Sequence, residues 1–353
     1  MKTTSGRGGC FYDNIWLDPN ATGEFVKDQQ GIYEFDKILN SGDDSKTRVK
    51  ILDHRPVWAK FKTDGNDDDR NVYGKLANAD LKLVKKKSNG LESLFYLPDK
   101  RIYDNPKNYG LNYEKVKFHS QDGTELDGLF LPAKTKEVVG TVVHFHGNAG
   151  NLTGHLYFVQ WLPLRGFNVF MFDYRGYGKS KGEPEKQGLY EDSVAALKYV
   201  WARDDVDNEK IVVFGQSLGG NNAIAAVGNG KLDWVKAMAI EATFVNYREI
   251  AKATVGDMNG MGAMKDVLIN SMIDNDYSAD KHIKDVKCPV VFIHGSKDQV
   301  IPWSHSKKLY GLANKPKQIW INKGGRHIDA FGSKQYQNKL VDFFEEVLKG
   351  NKK

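Results

Sequence analysis

The sequence predicts an α/β protein with a doubly wound, mostly parallel sheet, and two patterns support that prediction. From about residue 93 onward, short apolar runs alternate with helical patterns, which is typical of consecutive βαβ units. The runs are also continuously apolar, as expected of strands whose two faces are both covered. Six runs are predicted as buried strands: Gly140–Phe145, Asn168–Phe172, Ile211–Phe214, Ala237–Ile240, Val290–Ile293 and Gln318–Ile321.

Helices and one hairpin complete the predicted domain. Helical patterns lie between the strands, for instance over Gly188–Ala202 and Val341–Leu348. Ahead of the first buried strand, residues 113–133 hold two short alternating stretches on either side of Asp122-Gly123. A turn dipeptide between alternating stretches predicts an antiparallel hairpin, which we place at the edge of the sheet.

The chain divides into an N-terminal extension of unknown fold, residues 1–92, and the α/β domain, residues 93–353. The extension contains acidic, turn-forming stretches and no long apolar period. Within the domain, residues from about 243 to 287 predict a short helical lid inserted before the strand that follows Cys288. Its methionines alternate with glycines, a pattern that fits core packing or a flexible apolar rim for an acyl chain.

Composition is that of a soluble globular protein. Of 353 residues, 40% are hydrophobic and 27% charged, and no apolar run reaches the length of a membrane span. The net charge of +6 is modest, and the basic cluster Lys82–Lys87 is interpreted as a solvated loop, so no nucleic-acid partner is predicted. Two cysteines, Cys10 and Cys288, are too few for a disulfide framework or a cysteine-rich zinc site.

Cys10 leaves the location of the protein open. It follows Gly8-Gly9 in a polar start that resembles an expression leader, which is compatible with a cytoplasmic protein. A bacterial lipoprotein also begins its mature chain at a cysteine that follows a small residue. On that second hypothesis Cys10 carries lipid, the protein contacts a membrane, and it belongs to the bacterial cell envelope.

The segment FGQSLGG places Ser217 between a predicted strand and a predicted helix that starts at Leu218. It fits the G-x-S-x-G pattern, in which a strained turn presents a serine hydroxyl beside a helix N-terminus. Gly215 and Gly219 are expected to let the strand and helix approach closely. Ser217 is therefore the candidate nucleophile.

A serine nucleophile needs a base and an orienting carboxylate, and both follow in the expected order. Asp298 comes directly after the strand of CPVVFIHG, and His327 lies in a glycine-containing loop after the strand of QIWIN. The carboxyl ends of parallel strands meet at one edge of a sheet. Ser217, Asp298 and His327 are therefore predicted to form a triad, which needs no cofactor.

The turn HGNAGN after the first buried strand predicts the oxyanion hole. We expect the backbone N–H groups of Asn148 and Leu218 to receive the oxyanion, with Ala149 as the alternative to Asn148. His144 and His146 share one face of the strand and could form a two-histidine ligand pair. No nearby carboxylate or cysteine completes such a site, so no metal is predicted.

With these residues identified, the chain resembles the α/β-hydrolase superfamily of serine hydrolases. It looks closest to the branch with depalmitoylase-like and lysophospholipase-like proteins. The matching segments span about residues 95–348, and they are FYLPDKR, SQDGTELDGLFLPA, HFHGNAGN, FDYRGYGKSKGEP, FGQSLGG, CPVVFIHGSKDQVIP and GGRHID. The resemblance implies that Ser217 is the nucleophile, Asp298 the acid and His327 the base.

The resulting hypothesis is a serine hydrolase that cleaves small-molecule or lipid esters, or thioesters, through an acyl-enzyme on Ser217. Two alternatives stay open. One is a peptidase of the prolyl-oligopeptidase type, although the first 90 or so residues are too few for the propeller that usually accompanies it. The other is a non-catalytic scaffold of the same fold. The oligomeric state is not predicted.

Overall fold

The computed structural model describes residues 95–255, 269–271 and 273–350. Its centre is an eight-stranded sheet with the order β10-β9-β8-β7-β4-β6-β3-β2, and a separate two-stranded pair joins β1 to β5. The strands are β1 (Leu97–Pro98), β2 (Glu114–His119), β3 (Glu125–Leu131), β4 (Gly140–Phe145), β5 (Ala149–Gly150), β6 (Phe167–Phe172), β7 (Ile211–Gln216), β8 (Ala237–Glu241), β9 (Val290–Gly295) and β10 (Lys317–Asn322).

The α-helices with defined bounds connect these strands. They are α1 (Lys186–Trp201), α2 (Leu218–Asn229), α3 (Tyr247–Val255), α4 (Ala279–His282), α5 (Ser304–Leu312) and α6 (Lys334–Leu348). None of the helices in the described ranges is long and apolar enough to cross a membrane.

The doubly wound α/β fold is confirmed, with all six predicted strands present. The pairs β4–β6, β4–β7, β7–β8, β8–β9 and β9–β10 are parallel. Every residue of β4, β6, β7, β8 and β9 is buried, which explains why their sequences are continuously apolar rather than alternating. The prediction of a fully buried strand is wrong for Gln318–Ile321: β10 lies at the edge of the sheet, and only Trp320 in it is buried.

The predicted hairpin is β2–β3, an antiparallel pair with β2 at the sheet edge. Burial in β2 alternates, with Val116 and Phe118 inside and their neighbours exposed, because one face of an edge strand meets water. The hairpin turn has Gly123 at φ +84°, a conformation that favours glycine.

Two further predictions fall partly or wholly outside the described residues. The extension over residues 1–92, with Cys10, lies outside them, as do the lid methionines Met258, Met261, Met264 and Met272. Between β8 and β9 the described part of the insertion holds α3, the helical residues 269–271 and α4.

Candidate active site

Ser217 lies at a sharp turn between β7 and α2. Its backbone has φ 52° and ψ −121°, a left-handed conformation that is uncommon for a residue with a Cβ atom. Two hydrogen bonds hold the turn from the end of β8 and the residues that follow it: the Ser217 N–H donates to the Glu241 carbonyl at 2.9 Å, and the Thr243 hydroxyl donates to the Ser217 carbonyl at 2.8 Å.

The glycines around Ser217 permit close approach of the backbone. A Cβ atom at Gly219 would lie 2.1 Å from the Phe145 carbonyl oxygen, so this glycine lets the first turn of α2 rest on the end of β4. A Cβ atom at Gly215 would lie 2.8 Å from the Cα atom of Gly220. The sequence therefore indicated the right glycines, although Gly219 faces β4 and not β7.

The structure brings the three predicted side chains into one hydrogen-bonded chain. The Nε2 atom of His327 is 3.1 Å from the Ser217 hydroxyl oxygen, and its Nδ1 atom is 2.8 Å from the Asp298 Oδ2 atom. The residues come from the ends of β7, β9 and β10, although Ser217 and His327 are 110 positions apart. This order of contacts is the one that a base and its orienting carboxylate need.

Asp298 is held in its charged form. Burial opposes ionisation of the carboxylate, but hydrogen bonds from His294 and His327 outweigh that effect and lower the pKa of Asp298 well below its usual range. The Oδ1 atom also accepts the backbone N–H groups of Val300 at 2.8 Å and Ile301 at 2.9 Å. A fixed, ionised carboxylate can hold one tautomer of His327 and stabilise its imidazolium form.

His294 is a site residue that the sequence reasoning missed. Its Nε2 atom is 3.1 Å from Asp298 Oδ2 and 2.8 Å from the Ile301 carbonyl oxygen, and its Nδ1 atom is 2.7 Å from the Ser306 hydroxyl. The available signal was its place in β9, four positions before Asp298. That spacing alone does not reveal a contact, because the chain turns sharply between the two residues.

The turn after β4 lies beside Ser217. A Cβ atom at Gly147 would be 3.5 Å from the Ser217 Cβ atom and 3.1 Å from the His155 ring. Leu218 is the first residue of α2, where backbone N–H groups have no partner within the helix. Of the two predicted oxyanion donors, Leu218 therefore adjoins the serine, and Asn148 follows the glycine that lies beside it.

The Asn148 side chain has a role that the sequence did not indicate. Its Oδ1 atom accepts the Leu97 N–H and the Tyr177 hydroxyl, each at 3.0 Å. Beside it, β1 and β5 form a parallel pair, and the Asp99 N–H donates to the Gly150 carbonyl at 3.0 Å. The segment 97–99 thus fixes the turn that carries Asn148.

Two other histidines near the site each have one ring nitrogen in contact with a neighbouring residue. His144 Nε2 is 3.0 Å from the Gln216 Oε1 atom, and its burial lowers its pKa to about 3. His146 Nδ1 is 2.7 Å from the Gly147 carbonyl oxygen. Within the described ranges, no group of three or more His, Cys, Asp or Glu side chains is arranged to hold a metal ion.

Sequence relatives match most of the chain. A profile of the prolyl oligopeptidase family matches residues 157–351. Escherichia coli K12 YfhR is 41% identical over 263 residues, covering 72% of this chain and 88% of YfhR. The Arabidopsis thaliana α/β-hydrolase domain-containing protein WAV2 is 32% identical over 278 residues, covering 74% of this chain and 90% of WAV2.

Solved structures share the fold at lower identity. The Pyrococcus furiosus esterase Pf2001 has a TM-score of 0.57 at 19% identity, with 74% of this chain and 98% of the esterase covered. A Pyrococcus horikoshii acylaminoacyl peptidase has a TM-score of 0.53 at 22% identity, with 69% of this chain and 43% of the peptidase covered. The predicted superfamily is confirmed, and the chain belongs to the prolyl oligopeptidase family, as a serine hydrolase of the α/β-hydrolase superfamily.

Proposed function

We propose that this protein hydrolyses carboxylic esters or thioesters through an acyl-enzyme formed on Ser217. The observation that carries the proposal is the continuous hydrogen-bonded chain from the Ser217 hydroxyl through both nitrogens of His327 to the Asp298 carboxylate. In this proposal Ser217 is the nucleophile, His327 the general base and Asp298 the orienting acid.

The proposed reaction has two steps of the same kind. As the Ser217 oxygen attacks the substrate carbonyl carbon, His327 Nε2 takes the hydroxyl proton and then gives it to the departing alcohol or thiol. Water next donates a proton to the same nitrogen and attacks the acyl-enzyme, and the proton returns to Ser217 as the carboxylic acid leaves. Asp298 remains ionised and stabilises the imidazolium in both steps.

For the oxyanion we propose the backbone N–H groups of Asn148 and Leu218. Support comes from Gly147, which precedes Asn148 and lies beside Ser217, and from the position of Leu218 as the first residue of α2. Donors at a helix N-terminus also contribute a favourable partial positive charge for a developing anion.

An ester or thioester substrate, small or lipid, is proposed ahead of a peptide. The fold of esterase Pf2001 matches this chain along nearly all of its own length, whereas the acylaminoacyl peptidase is matched over less than half. Peptide hydrolysis is the second candidate, because the family profile that matches residues 157–351 is that of prolyl oligopeptidase. The same triad serves both reactions.

The test is hydrolysis of p-nitrophenyl esters from acetate to palmitate, with aminoacyl p-nitroanilides alongside. Ser217→Ala is expected to abolish turnover and labelling by a fluorophosphonate probe. Ser193→Ala is the matched control, because Ser193 is a buried serine whose hydroxyl bonds to Leu189 in α1, away from the site.

Each outcome selects one candidate. Serine-dependent ester turnover with slower anilide turnover supports the proposal, and an optimum at long acyl chains favours lipid or acylated protein substrates and membrane contact through Cys10. Faster anilide turnover favours the peptidase. Turnover that survives in Ser217→Ala contradicts the acyl-enzyme, and absence of turnover and labelling in the folded wild type favours a scaffold.

A further inference from the structure

Strand β8 ends between the strands that carry Ser217 and Asp298, and its last residue is a buried carboxyl. Glu241 is 1% exposed and pairs in register with Gln216, the residue before Ser217. The segments after β7, β9 and β10 carry Ser217, Asp298 and His327. Among the four neighbouring strands β7 to β10, β8 is the one that leads into no residue of the proposed triad, and Glu241 lies at its end.

Glu241 contacts both the turn that carries Ser217 and the loop that carries His327. Its Oε2 atom accepts the Gln216 side-chain amide at 2.7 Å, and its Oε1 atom accepts the Ala330 backbone N–H at 3.0 Å. Ala330 lies three positions after His327. The Glu241 carbonyl also accepts the Ser217 N–H, so one residue touches the serine turn through its backbone and the histidine loop through its side chain.

The backbone on both sides of this contact is strained. Ala242, next to Glu241, has φ 51°, and Ile328, next to His327, has φ 46°. A non-glycine residue keeps such a conformation only where surrounding contacts hold it. The hydrogen bond between Glu241 and Ala330 joins the two strained segments directly.

We propose, on the basis of the function proposed above, that Glu241 is a positioning residue that holds the His327 loop at its working distance from Ser217. It acts through Ala330 and Gln216 and does not touch the substrate. Deleting it releases the loop, so Nε2 of His327 moves away from the Ser217 hydroxyl. A displacement of about 1 Å at such a contact can cost roughly a hundredfold in rate.

The surroundings of Glu241 favour its neutral form. Burial raises the pKa of Glu241 to about 8, the Gln216 and Ala330 donors act against that rise, and the nearby carboxylates of Asp329 and Asp298 add to it. Tyr336 is close enough for an electrostatic interaction with this carboxyl, and His144 reaches it through Gln216 and is itself neutral. A neutral acid accepts both N–H groups without placing a second charge beside Asp298.

The test compares Glu241→Gln and Glu241→Ala with the control Glu209→Gln, which alters a carboxyl exposed to 72% on the surface. Glu241→Gln keeps the volume but offers one acceptor oxygen where the carboxyl group offers two, so either the Ala330 N–H or the Gln216 amide loses its acceptor and the link between the two segments is weakened. This variant keeps the experiment informative even if the cavity in Glu241→Ala prevents folding.

Two measurements distinguish a residue that positions His327 from one that only stabilises the fold. In the NMR spectrum, the downfield proton resonance of the His327 Nδ1–H bond to Asp298 is expected to shift or disappear in both Glu241 variants and to stay unchanged in Glu209→Gln. This signal needs no substrate, so it tests the proposal even if the protein proves not to hydrolyse esters. In the ester assay, kcat is expected to fall roughly ten- to hundredfold while KM stays within about twofold.

Folded Glu241 variants that retain both the resonance and the wild-type kcat would overturn the proposal. So would a loss confined to KM, because that pattern indicates altered substrate binding. A displaced resonance in a protein without serine-dependent turnover upholds the positioning of His327 and rejects the esterase function alone.

Discussion

The Nε2 atom of His294 lies 3.1 Å from the Oδ2 atom of Asp298, the same carboxylate oxygen that contacts His327. Both side chains of the pair are fully buried. The orienting acid of the proposed triad is therefore held by a second histidine in addition to His327. This relationship leads to the first prediction.

His294→Phe is expected to lower kcat for ester hydrolysis by roughly ten- to hundredfold, with KM little changed. The phenyl ring fills the imidazole volume but removes one donor from Asp298, and a hydrogen bond to a charged group contributes about 1.5–3 kcal/mol. Steady-state kinetics at neutral pH measure the effect. Because His305 bonds to the backbone of Val245 and not to Asp298, a His305→Phe variant with the same loss of kcat would contradict this explanation.

The pH dependence of stability tests the state of Glu241. Its pKa rises from 4.5 in the unfolded chain to about 8 in the folded protein. The folded state therefore keeps a proton that the unfolded state loses, so its contribution is fully present below pH 4.5 and is lost as the pH rises towards 8. Glu241→Gln cannot ionise, so its melting temperature relative to wild type is expected to rise between about pH 5 and about pH 9. A difference that stays constant over that range would show that Glu241 does not titrate with a raised pKa.

Asn148→Ala is expected to lower kcat by roughly tenfold, less than the hundredfold or more that is lost when an oxyanion donor is deleted. The substitution keeps the backbone N–H but removes the acceptor for Leu97 and Tyr177, so the turn loosens. Tyr177→Phe removes one of these two bonds and is expected to show a smaller loss. Asn338→Ala, which alters a surface contact with Arg165, is the control that should match wild type.

Gly219→Ala and Gly311→Ala are expected to change stability in opposite directions. At Gly219 the new methyl group would lie 2.1 Å from the Phe145 carbonyl, and overpacking of this kind costs roughly 1–3 kcal/mol or more. At Gly311, in α5, no atom other than those of the adjoining helix backbone lies within 4 Å of the new methyl, and alanine in a helix is favoured by roughly 0.5–1 kcal/mol. Chemical denaturation of both variants checks the signs. A Gly219→Ala variant as stable as wild type would contradict the close packing of α2 on β4, and a destabilised Gly311→Ala would contradict the open surroundings of Gly311.

The fold and the three candidate side chains could be predicted because each depends on a local pattern. Most of the parallel strands are buried and continuously apolar, Ser217 follows β7 directly, and Asp298 and His327 lie in the loops after β9 and β10. The supporting residues could not be predicted in this way. Nothing in the sequence of β8 distinguishes Glu241 as a site residue. Its proposed role depends on the hydrogen bond from Ala330, which is 89 positions away and meets it only after β8, β9 and β10 assemble. His294 and the Asn148 side chain depend on folded contacts for the same reason.

The left-handed backbone conformation of Ser217 makes the folded protein less stable than a variant with glycine at this position would be. Glycine adopts φ 52° without the steric cost that a serine pays, so Ser217→Gly relaxes the turn while removing the proposed nucleophile. A laboratory selection for heat resistance alone would therefore favour variants without this serine. A consensus sequence derived from such stable but inactive variants would not contain serine at position 217. Only a screen that demands turnover together with stability keeps the costly residue in place.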